Sequence, residues 1–306
     1  MRRILFTGLV VMAAYAVALT QEAGVFTHYH LNPVLLNPGA TGFEQQHEFL
    51  FNYRNKWAAF DGAPKTFTLL YNGPAGERQG IGGQLLTERI GKLRSFQASA
   101  SYAYRFSADL FDFGIGLSTG FNQLRLSSVS DDPLIDDTDE LLNSALDGVT
   151  LFDASFGIYG EYDERFYFGL SFPNAIRTRL ADISGDIEDM NDEFNYALLL
   201  GYRFHIEKHD FMVEPSIAVK NIRRVPFHVD LNLKLSFLEE QLVGGITYSI
   251  GEESRFGVLI GTRVDNMRFF YSYDVGFGDF QNYNNGSHEL TINFLIPRKA
   301  EASPQE

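Results

Sequence analysis

The chain has 306 residues, no cysteine, 28 glycines, 28 phenylalanines, 15 tyrosines and a formal charge of -14. The lack of cysteine excludes disulfide frameworks, thiolate metal sites, cysteine nucleophiles and lipid anchors on a cysteine. The acidic balance argues against a nucleic-acid binder, which needs clustered Lys and Arg, and no interior stretch approaches the roughly 20 apolar residues of a membrane helix.

Residues 1–20 read as a secretory signal peptide. Met1-Arg2-Arg3 is basic, Ile4 to Ala18 is apolar, and Ala16 with Ala18 forms an A-x-A pair. Cleavage is expected between Ala18 and Gln21, so the mature chain leaves the cytoplasm. Residues 21–46 then lack any alternation. They hold Asn32-Pro33 and Asn37-Pro38, followed by Gly42. The residue before a proline avoids the α region, so these two steps predict a stiff, turn-rich strap. His28 and His30 stand in H-x-H spacing. In an extended chain both would lie on one side; they read as polar residues of a periplasmic segment, with a weak metal pair as the rival reading.

From residue 47 the period becomes two. Phe227, Val229, Leu231, Leu233, Leu235 and Phe237 alternate with His228, Asp230, Asn232, Lys234 and Ser236. A helix would mix these sets on every face, so the segment is a strand. The same reading places strands near 47–57, 65–73, 80–89, 93–106, 111–126, 149–162, 165–172, 193–204, 211–223, 225–238, 242–250, 254–264, 267–275 and 287–296. Those near 80–89 and 111–126 are rich in glycine; Gly91, Gly114, Gly116 and Gly120 read as strand kinks and close approach. The fold class is all-β: a transmembrane antiparallel barrel of about fourteen strands over 47–296, with 297–306 as a periplasmic tail. An even count suits a single-chain bacterial barrel.

The connections support this. With both termini in the periplasm, the even-numbered connections are all short, and the longest, 127–148, 173–192 and 276–286, are all odd. Bacterial barrels place short turns in the periplasm and longer loops outside. The loop 127–148 carries Asp131, Asp132, Asp136, Asp137, Asp139, Glu140 and Asp147 without Lys or Arg. It lacks EF-hand spacing, so it reads as a solvated outer surface, with weak calcium binding at Asp136, Asp137 and Asp139 as the rival reading. Inward positions carry both signs of charge, among them Arg105, Glu161, Arg203, Glu214, Lys220, Asp230, Lys234 and Asp274, which predicts lumenal ion pairs. No nucleophile elbow, phosphate loop or H-E-x-x-H ligand set is present, so no catalytic residue, cofactor or metal is assigned.

Three ordered motifs follow the leader: Asn32-Pro33-x-x-x-Asn37-Pro38-Gly39-x-x-Gly42, then Tyr53-Arg54-Asn55-Lys56-Trp57, then Gly62-Ala63-Pro64-Lys65-Thr66. In these the chain resembles the PorP/SprF family of the Bacteroidota type IX secretion system. It departs at Gly39, where the family often has Ala, and at Lys56, where Gln is common. The resemblance implies an outer-membrane location and a non-enzymatic role in protein secretion. It further implies partners among the type IX secretion subunits and a large secreted cargo with a type B C-terminal signal domain, such as a gliding adhesin. A periplasmic ring lipoprotein or a peptidoglycan-linked protein is a further implied partner. On this reading Asn32, Pro33, Asn37, Pro38 and Gly42 shape the strap. Arg54, Trp57, Asp61, Gly62 and Pro64 shape the first strand and its outer hairpin, with Arg54 fixing the strap inside the barrel and Trp57 in the outer aromatic girdle. Two other readings share the same barrel: a passive porin or hydrophobic-solute transporter, and a structural link to periplasmic partners through the strap.

Overall fold

The computed structural model describes residues 26–127, 148–179, 195–206, 210–222, 225–251 and 254–298. The leader at 1–20, the acidic positions Asp131, Asp132, Asp136, Asp137 and Asp139, and the tail beyond 298 lie outside the described residues.

Fourteen antiparallel strands form one sheet. They are β1 (Gln46–Asn55), β2 (Lys65–Pro74), β3 (Gln79–Ile90), β4 (Leu93–Ala108), β5 (Phe111–Leu126), β6 (Val149–Tyr162), β7 (Phe166–Arg179), β8 (Tyr196–Tyr202 continued by Phe204–Ile206), β9 (Phe211–Ile222), β10 (Val225–Phe237), β11 (Leu242–Ile250), β12 (Arg255–Val264), β13 (Met267–Gly276) and β14 (Ser287–Pro297). Each pairs with its chain neighbours, and β14 pairs with β1 from Gln46 opposite Pro297 to Asn55 opposite His288. The sheet therefore closes on itself and leaves no edge, as a wall in lipid must.

The alternation sorts side chains by environment. On β1, Phe49, Phe51 and Tyr53 are exposed on the outer surface while Glu48, Leu50, Asn52 and Arg54 are buried inside. Phe227 and Leu231 of β10 are likewise exposed, against buried His228, Asp230 and Asn232. A protein folding in water would hide such phenylalanines; here they face hydrocarbon.

Three details depart from the sequence reading. The first strand stops at Asn55, and Trp57 lies beyond it with φ 54°, a left-handed turn that no strand accommodates. Strand β7 continues to Arg179 through Pro173. A bulge against β6 shifts the register between Ala154 and Phe156, so the missing proline N–H falls where the ladder is already interrupted. Strand β8 breaks at Arg203, whose side chain turns inward to Glu161 at 2.9 Å.

Candidate functional site

The strap lies inside the barrel. Its described part folds as three 3-10 turns, His28–His30, Pro33–Leu35 and Pro38–Ala40, which suits prolines that supply no N–H and fix φ at the first turn position. Asn32 and Asn37 precede the second and third turns in extended geometry. Asn37 accepts a hydrogen bond from Gly39 N–H at 2.9 Å and donates one to the Ile158 carbonyl at 2.9 Å. Asn32 donates to Glu48 at 2.8 Å, and Glu48 also accepts from Asn293 at 2.7 Å. Gly42, at φ 68°, donates to Asn72 Oδ1 at 2.6 Å. Pro33 and Pro38 thus set the turns, and the two asparagines and Gly42 bolt them to β1, β2 and β6.

The glycine-rich strands explain themselves here. Inward-facing Gly80 of β3, Gly114 and Gly116 of β5 and Gly157 of β6 form a groove in which the strap backbone lies. A Cβ at Gly116 would overlap the Pro38 carbonyl and stand 2.7 Å from Gly39 N, and one at Gly80 would stand 2.8 Å from Gly42 Cα. These glycines are places of close backbone approach.

The other side of the strap is held by charge. Glu289 of β14, 1% exposed, accepts from Thr27 N–H at 2.9 Å, from the Thr27 hydroxyl, from His28 N–H at 3.3 Å and from Asn52 Nδ2 at 2.8 Å. Arg54 lies 3.5 Å from Glu289 and 3.8 Å from Asp274. Arg54 therefore neutralises the carboxylate that grips the strap rather than touching the strap alone. The His28 ring bridges Thr291 at 2.7 Å and Ser272 at 2.9 Å. Tyr29 donates to Asp230 at 3.1 Å, and Asp230 pairs with Lys220 at 2.6 Å. Because residues 28–30 form a 3-10 turn, His28 and His30 do not share a side: His30 turns back to the Thr27 carbonyl at 2.7 Å. The expectation that the two rings share a side, drawn for an extended chain, is corrected on that geometry. Among the described residues no group of three or more His, Asp or Glu is arranged to hold a metal. Burial holds His28 below the usual imidazole range.

Phe26, Tyr29, Leu35, Ala40 and Phe43 complete an apolar core with Leu50, Leu70, Tyr159, Tyr167 and Leu199 from the wall. The lumen keeps a cavity of about 200 Å³ near the short turns, beside Glu48, Tyr159, Arg203 and Lys234, and one of about 170 Å³ beside Phe26, Leu36, Leu86 and Asp153. Glu289, Asn52, Glu48, Asn72 and the Lys220–Asp230 pair were not singled out as strap contacts in the sequence. The signal available was only their inward phase and their polarity.

The remaining motif residues build the long-loop end. Trp57 N–H donates to Ser287 at 3.2 Å, and the Lys56 ammonium sits 4.2 Å over the indole. The Pro64 carbonyl accepts from Lys56 N–H at 3.0 Å, and Gly62, at φ 75°, accepts from Gly91 N–H at 2.8 Å. Asp61 is exposed. Ala58 N–H donates to Gly286 and its carbonyl accepts from Asn285, so the loops 56–64 and 277–286 are tied into one surface. Phe60 and Tyr283 stand exposed on it.

A closed barrel with an apolar, aromatic outer face and a polar lumen defines an outer-membrane β-barrel protein. The TodX deltaS2S3 mutant monoaromatic hydrocarbon channel is similar in structure, with a TM-score of 0.53 at 10% identity over 91% of this chain and 96% of that one. A Pseudomonas aeruginosa FadL homologue gives 0.48 at 9% identity over 85% and 92%, and Acinetobacter baumannii Omp33 gives 0.47 at 8% over 84% and 100%. At these identities the likeness concerns the fold. No match was found among curated proteins. The model of the family described as type IX secretion system membrane protein PorP/SprF matches residues 18–294. The chain belongs to that family, and the fourteen-stranded outer-membrane barrel expected from the sequence is the fold it has.

Proposed function

We propose that this barrel is a non-enzymatic docking component of type IX secretion, which holds one exported protein at the cell surface through that protein's type B C-terminal signal domain. The observation that carries the reading is the strap. It lies across the lumen, bonded to β1, β2, β6 and β14, which favours the ends of the barrel over a through-passage as the working surfaces. The tied outer loops with Phe60 and Tyr283 support the same reading, since exposed aromatics on an ordered rim are what a protein partner buries. The membership in a secretion family supports it as well.

The test is deletion of the gene followed by analysis of surface and secreted proteins. One or a few cargo proteins are expected to be lost from the surface or released. If every exported protein still reaches the surface and stays there, the proposal fails. Planar-bilayer recording separates it from the porin reading: the docking barrel is expected to be silent, and a steady open-channel current would favour solute passage instead.

A further inference from the structure

Four cations lie in one row on the lipid-facing side of the barrel, at its long-loop end. The register sets Lys65 opposite Arg89, Arg89 opposite Arg94, and Arg94 opposite Arg125, across β2, β3, β4 and β5. All four are exposed. They share the outward phase of Phe67, Phe96 and Phe121, which are exposed on the same strands. With neighbouring strands about 4.8 Å apart, the row is about 15 Å wide.

Like charges directly opposite one another on adjacent strands destabilise a sheet. None of the four makes an ion pair with another described residue, although the lumenal cations Arg54, Arg105, Arg203, Lys220 and Lys234 all do. The chain carries only 25 Lys and Arg against 39 Asp and Glu, so four cations in register, without an ion pair among the described residues, are a local reversal of its character. The row borders a concavity of about 550 Å³ whose wall includes Tyr53, Phe67 and Phe96. Its chemistry is therefore layered: aromatic toward the membrane centre, cationic at the level where lipid headgroups lie.

We infer that this row is a binding site for a phosphorylated headgroup of an outer-leaflet lipid, the class to which lipopolysaccharide belongs. Guanidinium groups bind phosphate oxygens in pairs, and three arginines in register offer three such forks. The aromatic floor takes the first part of an acyl chain. A soluble acidic partner would not need that floor, and the strands below the row face hydrocarbon. The lipid would neutralise the repulsion along the row and fix how the barrel is turned toward its neighbours in the membrane.

The experiment uses the full mature barrel in zwitterionic-lipid nanodiscs, with native mass spectrometry as the readout. The probes are bisphosphorylated lipid A, the same lipid A with both phosphates removed, and inorganic phosphate. Bisphosphorylated lipid A is expected to remain bound and the dephosphorylated form to be lost. Each basic residue near an anionic headgroup contributes about five-fold in affinity, so Arg89→Gln with Arg94→Gln and Arg125→Gln should weaken binding by about 100-fold. Arg165→Gln, at a short turn on the other end, should leave it unchanged. If the triple variant loses the heat-modifiable gel shift of a folded barrel, the single variants R89Q and R125Q provide the same test at about five-fold each. Equal retention of both lipid A forms, undiminished binding by the folded variants, or binding of inorganic phosphate without lipid A would each overturn the proposal.

Discussion

Glu289→Gln is the sharpest probe of how the strap is held. The substitution keeps the shape of the side chain and removes its charge. In the structure Oε1 faces two N–H donors, His28 N at 3.3 Å and Asn52 Nδ2 at 2.8 Å, and Oε2 faces Thr27 N at 2.9 Å and Arg54 Nη1 at 3.5 Å. Whichever way the new amide turns, its NH₂ meets donors, so one set of bonds is lost outright. Arg54 keeps Asp274 at 3.8 Å. Breaking a buried ion pair by removing one partner costs about 3–5 kcal/mol. Assigning about 3 kcal/mol of that to strap docking raises the open fraction about 100-fold, at one decade per 1.4 kcal/mol. The wall itself, held by fourteen ladders, should keep its heat-modifiable migration. Hydrogen–deuterium exchange of the peptide covering residues 26–36 reads the effect directly. Exchange within three-fold of the wild type would refute the claim that Glu289 secures the strap.

Gly116→Ala should displace the strap where a Cβ would meet Pro38 and Gly39, at about 1–3 kcal/mol of overpacking, whereas Gly244→Ala, with open space around it, should leave residues 26–45 as protected as before. Lys220→Met removes the partner 2.6 Å from buried Asp230 and should lower stability by about 3–5 kcal/mol, measured as an earlier midpoint of folded-band loss in urea. Acidification should loosen the strap. Burial holds His28 below its ordinary range, and burial followed by neighbouring His28 brings His30 down to about 4. The released strap therefore binds more protons than the docked one, and docking is intact above about pH 6.5 and weakens as pH falls toward 4. An NMR titration of His30 with a midpoint at 6.5 or above would contradict this.

The wall was legible in the sequence because lipid and lumen impose opposite demands on successive residues. Phe227 through Phe237 cannot satisfy both with any period but two. The strap's turns were legible for a local reason as well, since Asn32-Pro33 and Asn37-Pro38 restrict the backbone without outside help. What it binds was not. Thr27 meets Glu289 across 262 positions, and nothing in a single chain marks two such residues as partners. The side shared by His28 and His30 was read for an extended chain, and the 3-10 turn gives the two rings different partners. Trp57 misled because alternation ran on past Asn55, while the left-handed turn that ends β1 is met by Ser287 at the start of β14, far away in the chain. Gly114 and Gly116 were read correctly as close approach, although the approaching partner was the strap itself.

The anchoring of the strap on β14 has a consequence for assembly. The segment is made first, but its carboxylate grip lies on the last strand, beside the seam where β14 meets β1. Contacts separated by most of the chain form late, after the intervening loops have closed. During biogenesis Thr27 and His28 therefore gain their carboxylate only when the last strand is in place, after the contacts of Asn32, Asn37 and Gly42 with β1, β2 and β6 have become available. A chain cut short before Glu289 would carry all three motifs and still lack the carboxylate that holds Thr27 and His28.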